Sequence, residues 1–312
     1  IIRGLVGSEM CIRDRIALED KNVGKPQDNE KPELVLHKIR TKHTILANGH
    51  IERFITFRNN DLPGVMLAAS FEKYLNRYGV VPDESPVIFT NNSSTFSLLK
   101  SLTDLGHKPK AYVDIRDQKN IEKQTLELLE KFNIPFYPKS EVEGCEGQKE
   151  VKKVSIRTKK NQITKIKTSM LCVSGGFNPD IHLFTQSKGL LKWDKDHLTF
   201  KPDRIFQKTI TLGSVSGNFS YEKLLVEVEK KLSEFEGLNE LEVKFELNGP
   251  EKFQIKELWE TKHEKKSLWS KSFIDLQNDV TTKDLRQAVN EGFNRIEHLK
   301  RYTTNSMGTD QG

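Results

Sequence analysis

Apolar and polar positions along this chain follow two periods, and the places where one gives way to the other mark out its elements. Residues 34–40 and 44–49 read as two strand-like runs, the second a short apolar stretch that stops at Asn48-Gly49. Residues 66–78 instead carry Met66, Ala69, Phe71, Tyr74, Leu75 and Tyr78 at near-helical spacing, and Gly79 follows where a helix ends. Val87-Ile88-Phe89-Thr90 is a buried-strand run. Phe96, Leu98, Leu99, Leu102 and Leu105 then line one helix face, Gly106 closes it, and Ala111-Tyr112-Val113-Asp114 is a second strand. Strand, turn, helix and strand in so little chain predict a βαβ unit and a parallel sheet.

A further helix is expected over about 119–132, and residues 151–157 and 163–168 alternate about Lys159-Lys160-Asn161-Gln162 as a hairpin would. Residues 169–173 are an apolar strand running into Ser174-Gly175-Gly176, and Ile210-Thr211-Leu212-Gly213 is a shorter one. A long amphipathic helix is expected over 220–235, and another over 281–299, opened by Thr281 and Asp284 in capping-box spacing. Residues 16–32, polar and holding Pro26 and Pro32, read as a loop, and 236–272 as a charged linker or small extra element. The first fifteen residues, IIRGLVGSEMCIRDR, resemble a translated sequencing adapter and are set aside; the remainder reads as an internal fragment.

Composition narrows the classes. Of 312 residues 35% are hydrophobic and 30% charged, with 17 Phe, which is enough for packed cores and too much for disorder. No apolar run is long enough for a membrane span. The net charge of +6 comes from basic residues interleaved with acids, as in 227–231 and 257–266, and forms no nucleic-acid stripe. Three cysteines, Cys11, Cys145 and Cys172, lack metal or disulfide spacing and point to a reducing, cytoplasmic setting. The eight His form no H-E-x-x-H pattern, no Cys has a visible His partner, and Cys172 sits inside an apolar strand as a core thiol.

The chemistry that remains lies in the turns. Three short strands end at Ala47-Asn48-Gly49, Ser174-Gly175-Gly176 and Gly213-Ser214-Val215-Ser216-Gly217, the last followed by Phe219 and the N-cap candidate Ser220. Open α/β sheets bind nucleotides at the carboxyl ends of strands, where glycine lets the backbone approach a phosphate. Ordinary strand-to-loop turns would look the same. The turn at 90–95 stands where a G-x-G-x-x-G fingerprint belongs but holds no glycine, so it reads as degenerate and non-binding. Asp114 lies where an acid would hold a ribose. The residues alone give an α/β chain of dinucleotide-binding type with no visible catalytic machinery.

Several strings together resemble one family. Leu46-Ala47-Asn48-Gly49-His50-Ile51-Glu52-Arg53 is similar to its L-A-T-G-A-x-E-R-P segment, and residues 60–67 and 74–80 continue the likeness. Val173-Ser174-Gly175-Gly176-Phe177-Asn178-Pro179 through His182-Leu183-Phe184 resembles its S-G-G-W-N-P-x-x-H-L motif. Residues 273–281, 297–304 and 308–312 match its closing segments. The family is the alpha subunit of heterotetrameric sarcosine oxidase, and the likeness runs over residues 33–312.

The resemblance implies a partial two-dinucleotide-binding, FAD/NAD(P)-binding Rossmann-like fold followed by a small helical domain. Residues 16–86 would be part of the first dinucleotide-binding domain, 87–170 a second, degenerate one, and 171–236 the return to the first. Residues 237–264 would be a linker and 265–312 the helical domain. It implies NAD in the FAD-like site of the complete chain, held here by Ala47, Asn48, Gly49, Ser174, Gly175, Gly176, Gly213, Ser214, Gly217, Phe219 and Ser220. FMN and FAD would belong with the beta subunit and tetrahydrofolate with a further domain downstream. The implied reaction is oxidative demethylation of sarcosine to glycine, giving hydrogen peroxide and formaldehyde or 5,10-methylenetetrahydrofolate, with no catalytic residue on this chain. The partners would be the beta, gamma and delta subunits, with sarcosine bound on beta. Lys283, Arg301, Thr303 and Thr304 are expected near FMN and beta, because cations and hydroxyls suit a phosphate.

Asn48 stands where the family has Thr, Phe177 where it has Trp, and Phe54 where it has Pro. Other readings are the alpha subunit of a related amine, opine or proline dehydrogenase, and a cofactor-free scaffold. The helical end has no Cys, which argues against an iron–sulfur cluster there.

Overall fold

The computed structural model describes residues 2–5, 14–20, 34–41, 43–81, 84–219, 221–232, 253–262 and 266–308. They fall into two compact units, Ile1–Ile51 with Phe177–Leu247, and Glu52–Gly176 with Asn248–Gly312.

The second unit is built on a five-stranded parallel sheet in the order Val65–Leu67, Leu171–Ser174, Val87–Thr90, Ala111–Asp114, Phe136–Pro138. Each strand is a short apolar run because both faces are covered, as parallel sheets require. Val87, Phe89, Val113, Leu171 and Val173 point to one face. There they pack with Val142, Val154 and Ile156 of an antiparallel sheet formed by Glu141–Glu146, Lys153–Arg157 and Ile163–Lys167. Ile88, Tyr112 and Cys172 point to the other, against Phe71 and Leu75, Leu98 and Leu102, and Leu129 of the helices Ala68–Tyr78, Thr95–Asp104 and Lys123–Lys131. The period-2 alternation therefore feeds two cores, and each fully buried Leu, Ile or Phe contributes about 1.5–3 kcal/mol. Leu171–Ser174 returns late in the chain to lie between Val65–Leu67 and Val87–Thr90, which makes its carboxyl end a topological switch point.

The expected βαβ unit and hairpin are present. The expected helix over 119–132 is a short 3-10 turn, Gln118–Asn120, followed by Lys123–Lys131. The expected helix over 281–299 is two helices, Thr282–Asn290 and Ile296–Thr303. Gly292 at φ 95 stops the first, and the apolar period survives the break because Phe293 folds back to stack on Tyr302 at 4.4 Å. The Asp284 carboxylate accepts the Thr281 backbone N–H at 2.8 Å and its hydroxyl at 2.7 Å, so the capping residues do pair.

The first unit holds an antiparallel sheet of Ile2–Leu5, Asp14–Asp20 and Leu34–Arg40, and a parallel pair of Thr44–Leu46 with Thr209–Thr211. It also holds the hairpin Leu190–Asp194 with Thr199–Arg204, and the helix Tyr221–Leu232. The strand at 14–20 overturns part of the loop expected at 16–32: Ile16-Ala17-Leu18 is too short an apolar run to announce itself, and its pairing with 34–40 supplies the order. The hairpin at 190–204 also escaped the periodicity, because its large residues Trp193 and Phe200 are exposed and mark no core face. Of the expected helix at 220–235, residues 220 and 233–235 lie outside the described residues.

Candidate functional site

In the first unit the parallel register Ile45↔Ile210 sets the turn 47–49 beside the turn that begins at Gly213, and Leu212 N–H donates to the Leu46 carbonyl at 2.9 Å. The first turn is fixed from one side. Asp180 N–H donates to the Gly49 carbonyl at 3.0 Å, and Asn48 Nδ2 donates to the Asp180 carbonyl at 2.5 Å. Gly49 has φ +87, and a Cβ built there would meet only Ser214 Oγ, 4.0 Å away, so the backbone is open to close approach. Gly213 and Gly217 are left-handed too, and Ser216 Oγ is buried without a hydrogen-bond partner among the described residues. Ala47, Asn48, Gly49, Gly213, Ser214, Gly217 and Phe219 are thus neighbours in one unit, while Ser220 lies outside the described residues. A left-handed open glycine with the Ser214 hydroxyl beside it fits a polyphosphate-bearing ligand.

Aromatic rings that the sequence reading did not group together collect at the same turn. His50 lies 4.1 Å from Phe177, and Phe219 lies 5.6 Å from Phe177, 5.8 Å from His50 and 5.3 Å from His197. His197 is held by Asp194 at 3.0 Å, and Lys201 reaches the same carboxylate at 2.5 Å. Burial works against the Asp194 charge, but these hydrogen bonds prevail and hold its carboxyl well below the usual range.

The segment Ser174–Gly176 belongs to the second unit, where the protein itself supplies its neighbours. A Cβ on Gly175 would lie 2.8 Å from the Phe54 carbonyl oxygen, and one on Gly176, at φ +94, 2.5 Å from Ile255 Cδ1. Ser174 Oγ is 2.9 Å from Ser94 Oγ and accepts from Asn92 Nδ2 at 3.2 Å. Ser174 also hydrogen-bonds Glu52, whose carboxylate accepts the Ala69 N–H at 2.8 Å. Burial pushes Glu52 up to about 7, the two hydrogen bonds resist this, and Glu72 adds to it.

The glycine-free turn after Val87–Thr90 is filled. Residues 253–262 cross it as a strap: Ser93 N–H donates to the Gln254 carbonyl at 3.0 Å, Gln254 N–H to Ser93 Oγ at 2.9 Å, and Lys256 N–H to the Asn91 carbonyl at 2.8 Å. Asp114 does not face outward to a ribose. Fully buried, it takes Arg116 Nη2 at 2.8 Å, and Arg116 also donates to Glu122 at 3.1 Å and to the Asn92 carbonyl at 3.0 Å. Burial alone would lower the Arg116 pKa, but Asp114 and Glu122 raise it and keep the guanidinium charged.

In the helical end, the Asp275 carboxylate accepts N–H groups of Gln277 at 2.8 Å and Asn278 at 3.2 Å, and also that of Ser306 at 2.8 Å. One side chain therefore ties the 275–278 turn to the 304–306 turn, a link the sequence reading missed although an Asp opening a turn was its signal. Lys283 is exposed in the first turn of one helix, and Arg301 in the last turn of the next. Thr303 donates to the Leu299 carbonyl at 2.8 Å, and exposed Thr304 is left-handed at φ 59. Among the described residues no cluster of His, Cys, Asp or Glu could hold a metal, and no helix is long and apolar enough to cross a membrane. Cys145 and Cys172 are buried, and desolvation pushes Cys145 up to about 12, which leaves it inert.

Comparison with known proteins agrees with this architecture. The crystal structure of L-proline dehydrogenase from P. horikoshii superposes with a TM-score of 0.61 at 18% identity, covering 100% of this chain and 56% of that one. At that identity the likeness is one of fold, and the fold is α/β and Rossmann-like, with a small helical region after it. Residues 269–312 match the model of the sarcosine oxidase A3 domain. Sarcosine oxidase subunit alpha of Rhizobium meliloti (strain 1021) is 32% identical over 284 residues, 89% of this chain and 27% of the relative. That of Corynebacterium sp. (strain U-96) is 30% identical over 287 residues, 88% of this chain and 29% of the relative. The chain is therefore related to the sarcosine oxidase alpha subunits along nearly its whole length, and spans somewhat more than a quarter of theirs.

Proposed function

We propose that this chain serves as the alpha-type part of a sarcosine oxidase, an oxidoreductase complex that demethylates sarcosine oxidatively to glycine. Hydrogen peroxide and either formaldehyde or, with tetrahydrofolate, 5,10-methylenetetrahydrofolate are the other products. The observation that carries this reading is the similarity to sarcosine oxidase alpha subunits over 89% of the chain. FAD and FMN, carried with a beta subunit, would supply the two-electron chemistry, and this chain would supply binding and assembly.

In this reading Gly49 and the turn that begins at Gly213 take the phosphates of NAD, with Asn48 held rigid by the Asp180 carbonyl and Ser214 offering a hydroxyl. Ser174 stays within its own hydrogen-bonded cluster, and Gly175 and Gly176 serve chain packing. The tied turns at 275–278 and 304–306, with Lys283, Arg301, Thr303 and Thr304 nearby in sequence, form the face offered to the beta subunit and its FMN. Gamma and delta subunits complete the assembly.

The test is the purified complex. Heat-denatured protein is expected to release one NAD per alpha chain and to have consumed oxygen with sarcosine faster than with proline before denaturation. Release of no NAD would remove the cofactor assignment, and preference for proline would move the complex to another amine oxidoreductase. Lys283→Ala with Arg301→Ala should lower FMN content, and unchanged flavin would remove those two residues from the interface.

A further inference from the structure

Two of the places where this chain departs from the family motif touch each other. His50 occupies the position of the second Ala in L-A-T-G-A-x-E-R-P, Phe177 that of the Trp in S-G-G-W-N-P, and their ring centroids are 4.1 Å apart. A third departure, Asn48, is anchored to the Asp180 carbonyl beside them. Both positions carry rings of middle size here, where the motif has a small residue and a large ring.

Its surroundings are not those of a core. His50 and Asn48 are exposed, and Phe177 and Phe219 are half-buried, all within one unit and beside the open left-handed turn at Gly49. Desolvation by burial lowers the His50 pKa and favours the neutral imidazole, which meets Phe177 tilted by 56° and Phe219 edge-on. Uncharged rings beside an open left-handed glycine suit a ligand that joins a polyphosphate to a planar heterocycle.

We propose that His50, Phe177 and Phe219 form a ring-binding wall against which a planar heterocycle of a bound dinucleotide stacks, so that these residues set which ring the site accepts. The inference rests on the dinucleotide reading of the Gly49 and Gly213 turns. His197, held by Asp194, backs the wall through Phe219 as a positioning residue.

Calorimetric titration of the purified complex containing this chain, after its bound NAD has been stripped and the loss checked by absorbance, tests it, using NAD, ADP-ribose and nicotinamide mononucleotide as probes. His50→Ala and Phe177→Ala should each weaken NAD about five- to tenfold, the loss of one ring contact. Phe177→Trp should retain affinity and report binding by quenched fluorescence. If ADP-ribose loses the same factor, the adenine stacks on the wall; if it is unaffected while NAD and the mononucleotide weaken, the nicotinamide does. Unchanged NAD affinity in both alanine variants, with circular dichroism intact, overturns the wall and leaves the dinucleotide reading standing. Failure of the parent complex to bind any of the three probes overturns both. His50 is exposed, so its variant folds even where Phe177→Ala does not.

Discussion

The turn after Val87–Thr90 and the turn after Thr44–Leu46 occupy equivalent places, each at the carboxyl end of a parallel strand, and they have opposite fates. The first is closed: Asn91, Asn92 and Ser93 are buried, Arg116 and Asp114 fill the space beneath them, and the 253–262 strap hydrogen-bonds across the top. The second is open: Gly49 meets nothing nearer than 4.0 Å, and half-exposed rings stand beside it. Parallel strands create the crevice, but what a crevice does is decided by the residues that line it and by chain that arrives from far along the sequence. A buried polar turn is tolerable only when every group is paired, which is why the closed one needs both an arginine and a strap.

The comparison breaks most visibly at Arg116. Arg116→Met leaves the Asp114 and Glu122 carboxylates buried without their cation, and the second unit should lose about 3–5 kcal/mol in chemical denaturation. A loss below about 1 kcal/mol would mean that the strap, not the ion pair, holds the closed turn.

Glycine reads out the same contrast. Gly176→Ala adds a Cβ 2.5 Å from the movable Cδ1 of Ile255 at a left-handed φ and should cost about 1 kcal/mol more than Gly49→Ala, which carries backbone strain alone, about 1–2 kcal/mol. Equal losses in thermal unfolding would contradict the difference in packing.

Glu52 adds a pH dependence to the closed side. Its folded carboxyl keeps a proton up to about pH 7 while the unfolded one releases it near 4.5, so the folded state binds more protons between those values. Stability therefore falls as pH rises through that window, by on the order of 2 kcal/mol, and Glu52→Gln should flatten the slope. A profile identical to the parent's would place the titration elsewhere. The smallest effect belongs to a region outside both turns: Asp284→Ala removes the capping-box partner of Thr281 on the Thr282–Asn290 helix and should cost about 0.5–1 kcal/mol without altering either crevice.

Much of this was legible locally. Val87-Ile88-Phe89-Thr90 and Ala111-Tyr112-Val113-Asp114 are unmistakable buried strands, and the glycine-free turn between them already argued against a phosphate. The break at Gly292 was hidden because Phe293 keeps the apolar period while turning back on Tyr302. The sequence left the partner of Asp114 open, because an acid at that spacing suits a ribose as well as an arginine, and only its full burial beside Arg116 separates the two.

The sequence by itself determined the parallel sheet, the helix faces, the glycine-bearing turns and the kinship with sarcosine oxidase alpha subunits, since periodicity and motif strings are properties of neighbouring residues. Tertiary structure alone decided which turn is closed and which is open. Ser93 meets Gln254 across 161 positions, and the His50–Phe177 contact likewise joins residues far apart in the chain. Such contacts leave no local period, because each partner is chosen by the space the fold leaves beside it.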